Sequence, residues 1–270
     1  HVYMIKTSNN TPVKISNIPI LPYNQFYVQV SNILQQKHNH CINYFTVPQD
    51  NALLNICCIA NDETHDIYVL AHKESSNIEA LTAKYYAMHV FEREMNENYG
   101  ISFEDHPWPK PVRYAYNRYN HDECIENYPF YSIDGEELHE VGVGPIHAGV
   151  IEPGHFRFIC NGEKVLHLEI MLGYQHRGVE SLMVSKQHQL QKAVLAESIA
   201  GDTAVGHSIA YTAIIEALSG NEPNQRLQLE RTIALELERI AIHIGDTSAL
   251  CMDIAYQLGQ VTCEALRTII

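Results

Sequence analysis

His176, Arg177 and Glu180 stand close together in the chain, and on a helix positions 176 and 180 would share a face. An ion-pair network locking a hairpin to the helices that follow is the simpler account of them; a cofactor role is the other. Asp202 can accept protons, or it can cap the helix that begins near Ala204. The cysteines offer less. Cys41, Cys57, Cys58, Cys124, Cys160, Cys251 and Cys263 form an odd set without a Cys-x-x-Cys pair. That spacing suits neither a secreted disulfide framework nor a zinc or iron–sulfur centre. They read as reduced thiols, mostly in the core of a cytoplasmic protein. No Gly-x-Gly-x-x-Gly follows a strand and no phosphate-cradling loop occurs, so a nucleotide-binding fold is not supported.

The net charge of −14 argues against nucleic-acid binding, which needs a basic face, and reads mostly as a solvated acidic surface. With 270 residues, 46% of them hydrophobic and 19% charged, the chain is long enough for two domains, or for one domain plus part of another. No apolar run approaches the roughly 18 residues of a bilayer-spanning helix, so membrane association must go through partners. The first residue is His1, which reads as a trimmed start, and no basic region followed by an apolar core suggests a secretion signal.

The elements that position these residues change character near residue 110. Before it, 13–21 and 41–47 read as strands with a helix over 25–36 between them. Two apolar runs, 51–59 and 65–71, flank Asn61-Asp62-Glu63-Thr64, a hairpin turn by composition. Ser75 or Ser76 can cap a helix over 78–98, which Gly100 ends in a left-handed conformation. This is an α+β pattern with helices on one face of a sheet. Three prolines within 106–111 then open a polar, tyrosine-rich strap, whose rings give it apolar surface to pack on its own chain or a neighbour. From residue 142 a hairpin follows, 155–160 and 163–171 around Asn161-Gly162, a type I′ signal. The rest reads as helices over 178–188, 191–218, 224–245 and 247–270. The last runs to the end without a cap, which reads as a fragment.

Two stretches carry a resemblance. Phe91-Glu92-Arg93-Glu94-Met95-Asn96-Glu97-Asn98-Tyr99-Gly100-Ile101, followed by His106-Pro107, is similar to the signature of the C-type subunit of complex I and its hydrogenase relatives. Gly144-Pro145-Ile146-His147, Glu152-Pro153-Gly154-His155-Phe156-Arg157 and Gly173-Tyr174-Gln175-His176-Arg177-Gly178-Val179-Glu180 follow in the order of the D-type subunit. That subunit is homologous to the large subunit of [NiFe] hydrogenases, and Leu235-Glu236-Leu237-Glu238-Arg239-Ile240 resembles one of its bundle helices. The C-then-D order resembles the large subunit of formate hydrogenlyase-type enzymes. The resemblance implies an α+β C-type domain over 1–110, a linker over 111–140, and over 141–270 a hairpin with the start of a helical bundle.

One departure stands out. Hydrogenase large subunits carry Arg-x-Cys-Gly-x-Cys-x-x-x-His, and here the cysteine positions hold Ala200 and Thr203, while Gly201 and His207 remain. A methyl group cannot ligate and a threonine hydroxyl is a poor donor to soft nickel, so the expectation is no nickel–iron site. Ser181 likewise replaces a lysine of the family pattern. The resemblance makes Glu152, Asp202 and His207 candidates for proton handling. Glu152 matches the hydrogenase proton-relay glutamate, unless its carboxylate is simply hydrogen-bonded to backbone or Arg157. His147, His155, His176 and Arg177 become candidates for a quinone pocket, each histidine also being a plausible structural residue. The implied partners are a small iron–sulfur (B-type) subunit, which carries the clusters, and the membrane arm. They would place the chain peripherally on the cytoplasmic side of the inner membrane. NAD would touch it only through the complex. A purely structural subunit is the alternative.

Overall fold

The structure, a computed structural model, describes residues 3–49, 51–146 and 152–270. The chain divides into two compact units, residues 1–134 with 171–173, and 135–170 with 174–270.

In the first unit β1 (Ile5–Ser8), β2 (Asn39–Gln49), β3 (Ala52–Asn61) and β4 (Asp66–His72) form an antiparallel sheet in the order β1-β4-β3-β2. The β3–β4 turn forms because the Asn61 side-chain carbonyl accepts the Glu63 and Thr64 N–H groups at 3.0 and 2.8 Å, while His65 takes a positive φ. Alternation then sorts the side chains. Cys57 and Ile59 of β3 and Leu70 of β4 join Phe26, Val30 and Ile33 of α1 (Tyr23–Leu34) in the main core. Leu54, Ile56, Val69 and Ala71 face the other way, under Ile18 and Val13. Both sheet faces are therefore covered, and β3 and β4 read as nearly continuous apolar runs.

Residues 13–21 are not the expected strand. They form a 3-10 turn, Ile15–Asn17, and lie over the second sheet face. Their backbone bonds β4 where Ala71 N–H donates to Pro19 and Leu21 N–H donates to Ala71, at 3.0 and 2.8 Å. Most of that edge of β4 is taken by β1, whose four-residue pattern was too short to read. The expected helix over 78–98 is also shorter. β5 (Ile78–Glu79) pairs in parallel with β6 (Phe103–Glu104), two 3-10 turns follow at Leu81–Ala83 and Tyr86–Met88, and α2 spans only His89–Tyr99. Glu92 takes the N–H groups of Leu81 and Thr82. Gly100 ends α2 as expected, at φ +68°, its N–H donating to Asn96 at 2.8 Å.

The second unit opens with β7 (Leu138–Val143), β8 (His155–Asn161) and β9 (Lys164–Met171), in the order β7-β8-β9. The β8–β9 turn is centred on Gly162 and Glu163, and only Gly162 has a positive φ. That matches a type II′ turn, with glycine at its first central position, rather than the expected type I′. Five helices follow: α3 (Val179–Ser185), α4 (Gln189–Glu197), α5 (Ala204–Ser219), α6 (Gln225–Asp253) and α7 (Gln257–Ile269). The expected helix over 191–218 is broken at 198–203, where Gly201–Thr203 turns as a 3-10 helix. Asn224 caps α6, accepting Leu227 N–H at 2.9 Å. Gly245 does not end that helix. A Cβ there would lie 2.9 Å from Arg267 Nη1, so the glycine makes room for α7, and α6 continues to Asp253. The break before α7 falls instead at Ala255, φ +59°. All seven cysteines are free thiols, and only Cys57 and Cys160 are buried, fewer than expected, the other five being half-buried.

Candidate functional site

Two places gather the chemistry-bearing residues, one in each unit. In the second unit it is the loop between α4 and α5. Arg177 donates to the carbonyls of Ser198 and Ile199, at the C-terminal end of α4, where a cation suits the helix dipole. Gly178, φ +65°, caps α3, so residue 176 precedes the helix and does not share a helical face with Glu180 as expected. The loop is thus fastened through backbone carbonyls. On its other side Thr203 Oγ1 lies 2.8 Å from His207 Nδ1, which is also 2.9 Å from the Thr203 carbonyl oxygen.

Asp202 is exposed and does not cap α5. Glu238 of α6 does that work from 32 residues away, accepting Val205 N–H at 2.6 Å and Gly206 N–H at 3.0 Å. Deeper between the helices Arg231 pairs with Glu216 in a two-point contact at 2.8 and 2.7 Å. A cavity of about 440 Å³ lies beside them, with Glu197, Val205, Ser208, Thr212 and Arg231 among its walls, but neither Ala200 nor Thr203.

The remaining candidates lie outside that loop in the chain. Glu152 is exposed, and no hydrogen bond joins it to Asp202 or His207 among the described residues. Arg157 pairs instead with Glu169 at 2.8 Å and with Glu140. His155 Nδ1 lies 3.4 Å from the Gly144 carbonyl. His176 is exposed. His147 lies outside the described residues. Among those described, no three of His, Cys, Asp and Glu converge as a metal site.

In the first unit the site is a cleft of about 420 Å³ between α2 and the strap. Its organisation comes from the α2 residues of the C-type signature. Glu97, with 3% of its side chain exposed, accepts Arg113 Nε at 2.7 Å, Arg118 Nη1 at 2.6 Å, and the N–H groups of Val112 and Arg113 at 3.0 and 3.1 Å. Glu94 adds a second carboxylate to Arg113 at 2.8 Å. Arg93 donates to the carbonyls of Lys110 and Pro111, both at 2.6 Å, and lies 4.4 Å from the Trp108 ring centroid. One helix face therefore supplies donors and acceptors to backbone that three prolines exclude from a sheet.

Glu92 sits beneath, fully buried, accepting Leu81 N–H at 2.7 Å and the Thr82 N–H and hydroxyl at 3.2 and 2.6 Å. Burial pushes its carboxyl up to about 7, against the lowering effect of those hydrogen bonds. The sequence marks these α2 residues as a signature but not their job, because their partners lie 10 to 21 residues away in irregular backbone.

In the first unit, then, α1 and α2 share the main core on one face of the sheet, and the strap is bound to α2. Residues 24–130 match the family of the respiratory-chain NADH dehydrogenase 30 Kd subunit, with most of the strap inside the match. The chain is similar to Hydrogenase-4 component G of Escherichia coli, 33% identical over 134 residues, covering 50% of this chain and 24% of that protein. Formate hydrogenlyase subunit 5 of the same organism is 32% identical over 135 residues, with the same two shares. The C/D subunit of the NADH-quinone oxidoreductase of Phocaeicola vulgatus is 29% identical over 192 residues, 60% of this chain and 37% of that protein. Together these match a complex I-like C/D subunit, and the chain spans about a quarter of the length of the two Escherichia coli relatives. Among the described residues no helix is long and apolar enough to cross a membrane.

Proposed function

We propose that this chain belongs to a subunit of a membrane-associated, complex I-like or hydrogenase-related oxidoreductase that works without a nickel–iron centre. In this reading an iron–sulfur (B-type) partner delivers electrons, and their arrival is coupled here to reduction of a quinone-like acceptor or to proton uptake. The chain sits peripherally on the cytoplasmic side of the inner membrane, held by the membrane arm. The supporting observation is the α4–α5 loop. Where the hydrogenase pattern has thiolates, Ala200 offers a methyl group and the Thr203 hydroxyl is already engaged with His207. That donor set does not fit nickel and iron, which are held by thiolate sulfur in this pattern. Glu152, Asp202 and His207 remain the proton-handling candidates, and His147, His155, His176 and Arg177 the candidates for binding the acceptor. The relatives' printed names, hydrogenase, formate hydrogenlyase and NADH-quinone oxidoreductase, fit the same class.

A specific observation favours a second reading, a structural subunit joining the iron–sulfur partner to the membrane arm. Arg177 is committed to carbonyls, and Glu152 shares no hydrogen bond with Asp202 or His207 among the described residues. Metal analysis and quinone-analogue binding on the protein purified with its neighbouring subunits separate the two. Nickel near one per complex overturns the first proposal. Saturable quinone binding without nickel, weakened by Glu152→Gln or His207→Ala, supports it; neither nickel nor quinone leaves the structural subunit.

A further inference from the structure

The floor of the cleft in the first unit holds a buried imidazole whose bonding is incomplete. His106 exposes 4% of its side chain. Its Nδ1 accepts the Trp108 N–H at 3.0 Å, which fixes the tautomer with hydrogen on Nε2. That Nε2 has no hydrogen-bond partner and stands 3.6 Å from Glu92 Oε2, beyond bonding reach. Both residues line the cleft, with Arg93 and Asn96 beside them and Tyr114 and Tyr128 of the strap across it.

We propose that His106 and Glu92 form a proton-sensing latch under the strap, which releases the segment from Trp108 to Pro111 when the imidazole takes up a proton. Protonation puts a hydrogen on Nδ1, where it confronts the Trp108 N–H donor, so the turn that starts the strap loses its internal acceptor. Trp108 is the knot of that turn. Its ring stacks on His89 at 5.2 Å and on the Arg93 guanidinium at 4.4 Å, and Arg93 in turn holds the carbonyls of Lys110 and Pro111.

The groups around the pair set the direction. From α2, His89 and Arg93 oppose a second positive charge; from the Leu81–Ala83 turn, the Thr82 hydroxyl and two N–H groups face Glu92. From α1, β2 and β3, Tyr23, Tyr27, Tyr44 and Cys57 lie within electrostatic reach of Glu92, all pushed up and uncharged at neutral pH. Burial lowers His106, with the Arg93 and His89 side chains adding to it and a smaller backbone effect of His89 opposing it. A histidine lowered in the closed state binds its proton more readily once released, so the His106 contribution to closure is complete above pH 6.5 and weakens as pH falls toward the closed-state value. Within that window the released fraction grows about tenfold per pH unit.

Trp108 is the chain's single tryptophan and reports on its own release. Its emission, followed on the whole chain from pH 8 to 5 beside far-UV circular dichroism, is expected to shift reversibly to the red with a midpoint below 6.5, at constant dichroism. His106→Asn keeps an acceptor near Nδ1 and cannot be protonated, so its emission should stay flat. His89→Phe keeps the stacking and should retain the shift. Flat emission in the parent chain, a shift that persists in His106→Asn or vanishes in His89→Phe, or dichroism lost together with the emission change overturns the latch. Should His106→Asn not fold, the parent titration and His89→Phe still decide.

Discussion

Removing the Glu97 carboxylate is the most direct way to ask whether α2 holds the strap. Glu97→Ala leaves the Val112 and Arg113 N–H groups without their acceptor and takes one carboxylate from Arg113 and one from Arg118. Breaking a buried pair by deleting one partner costs about 3–5 kcal/mol. Two features reduce the figure here. Arg113 keeps Glu94 at 2.8 Å, and Arg118 leaves 27% of its side chain in water, where it can be solvated. The expected loss is therefore about 3 kcal/mol. An independent count agrees, since two backbone donors left unsatisfied cost about 1–3 kcal/mol each. Urea unfolding followed by Trp108 emission reads the first unit alone, because the single tryptophan lies in it. Glu97→Gln keeps the volume and one acceptor oxygen and should lose about half as much. A Glu97→Ala midpoint equivalent to less than about 1 kcal/mol, at unchanged slope, would refute the claim that this carboxylate anchors the strap.

Other substitutions probe contacts nearby and in the second unit. Gly100→Ala puts a Cβ 2.4 Å from the Tyr119 ring at φ +68°, so a loss of about 2 kcal/mol or more is expected in the same urea assay, and adding Tyr119→Ala should recover only the steric share. Glu238→Ala strips the N-terminus of α5 of its acceptor and should cost about 1–2 kcal/mol, measured by thermal unfolding followed by far-UV circular dichroism. Glu92 carries a sign that can be tested. Its folded value is raised to about 7, so its share of stability is complete below about 4.5 and is lost as pH rises through 7. Between pH 8 and 5 the parent should gain about 2–3 kcal/mol from this group, and Glu92→Gln should not. Equal pH profiles for the two proteins would mean that burial does not hold this carboxyl neutral.

Elements announced by neighbouring residues were legible. The turn at Asn61–Thr64, the helix through Phe26, Val30 and Ile33, the stop at Gly100 and the hairpin at Asn161-Gly162 each depend on a few adjacent positions. Elements decided at a distance were not. Leu81 and Thr82 leave the expected helix because a carboxylate 10 or 11 residues later takes their N–H groups. Gly245 resembles a stop signal, yet Arg267 is packed against it, a contact no local pattern encodes. The residues of the α4–α5 loop stood out only through their resemblance to a hydrogenase motif, their backbone being expected within a helix over 191–218. The acceptor that fixes α5 comes from Glu238, within a segment that reads simply as an amphipathic helix.

Glu238 and Arg177 also settle the electrical character of that loop. An α-helix behaves as though it carried about half a positive charge at its start and half a negative one at its end. The loop over 198–203 sits between the negative end of α4 and the positive end of α5, and each is already matched, the first by the Arg177 guanidinium and the second by the Glu238 carboxylate. The loop is therefore no trap for anions. Negative charge arriving there finds both of the flanking helix ends already matched.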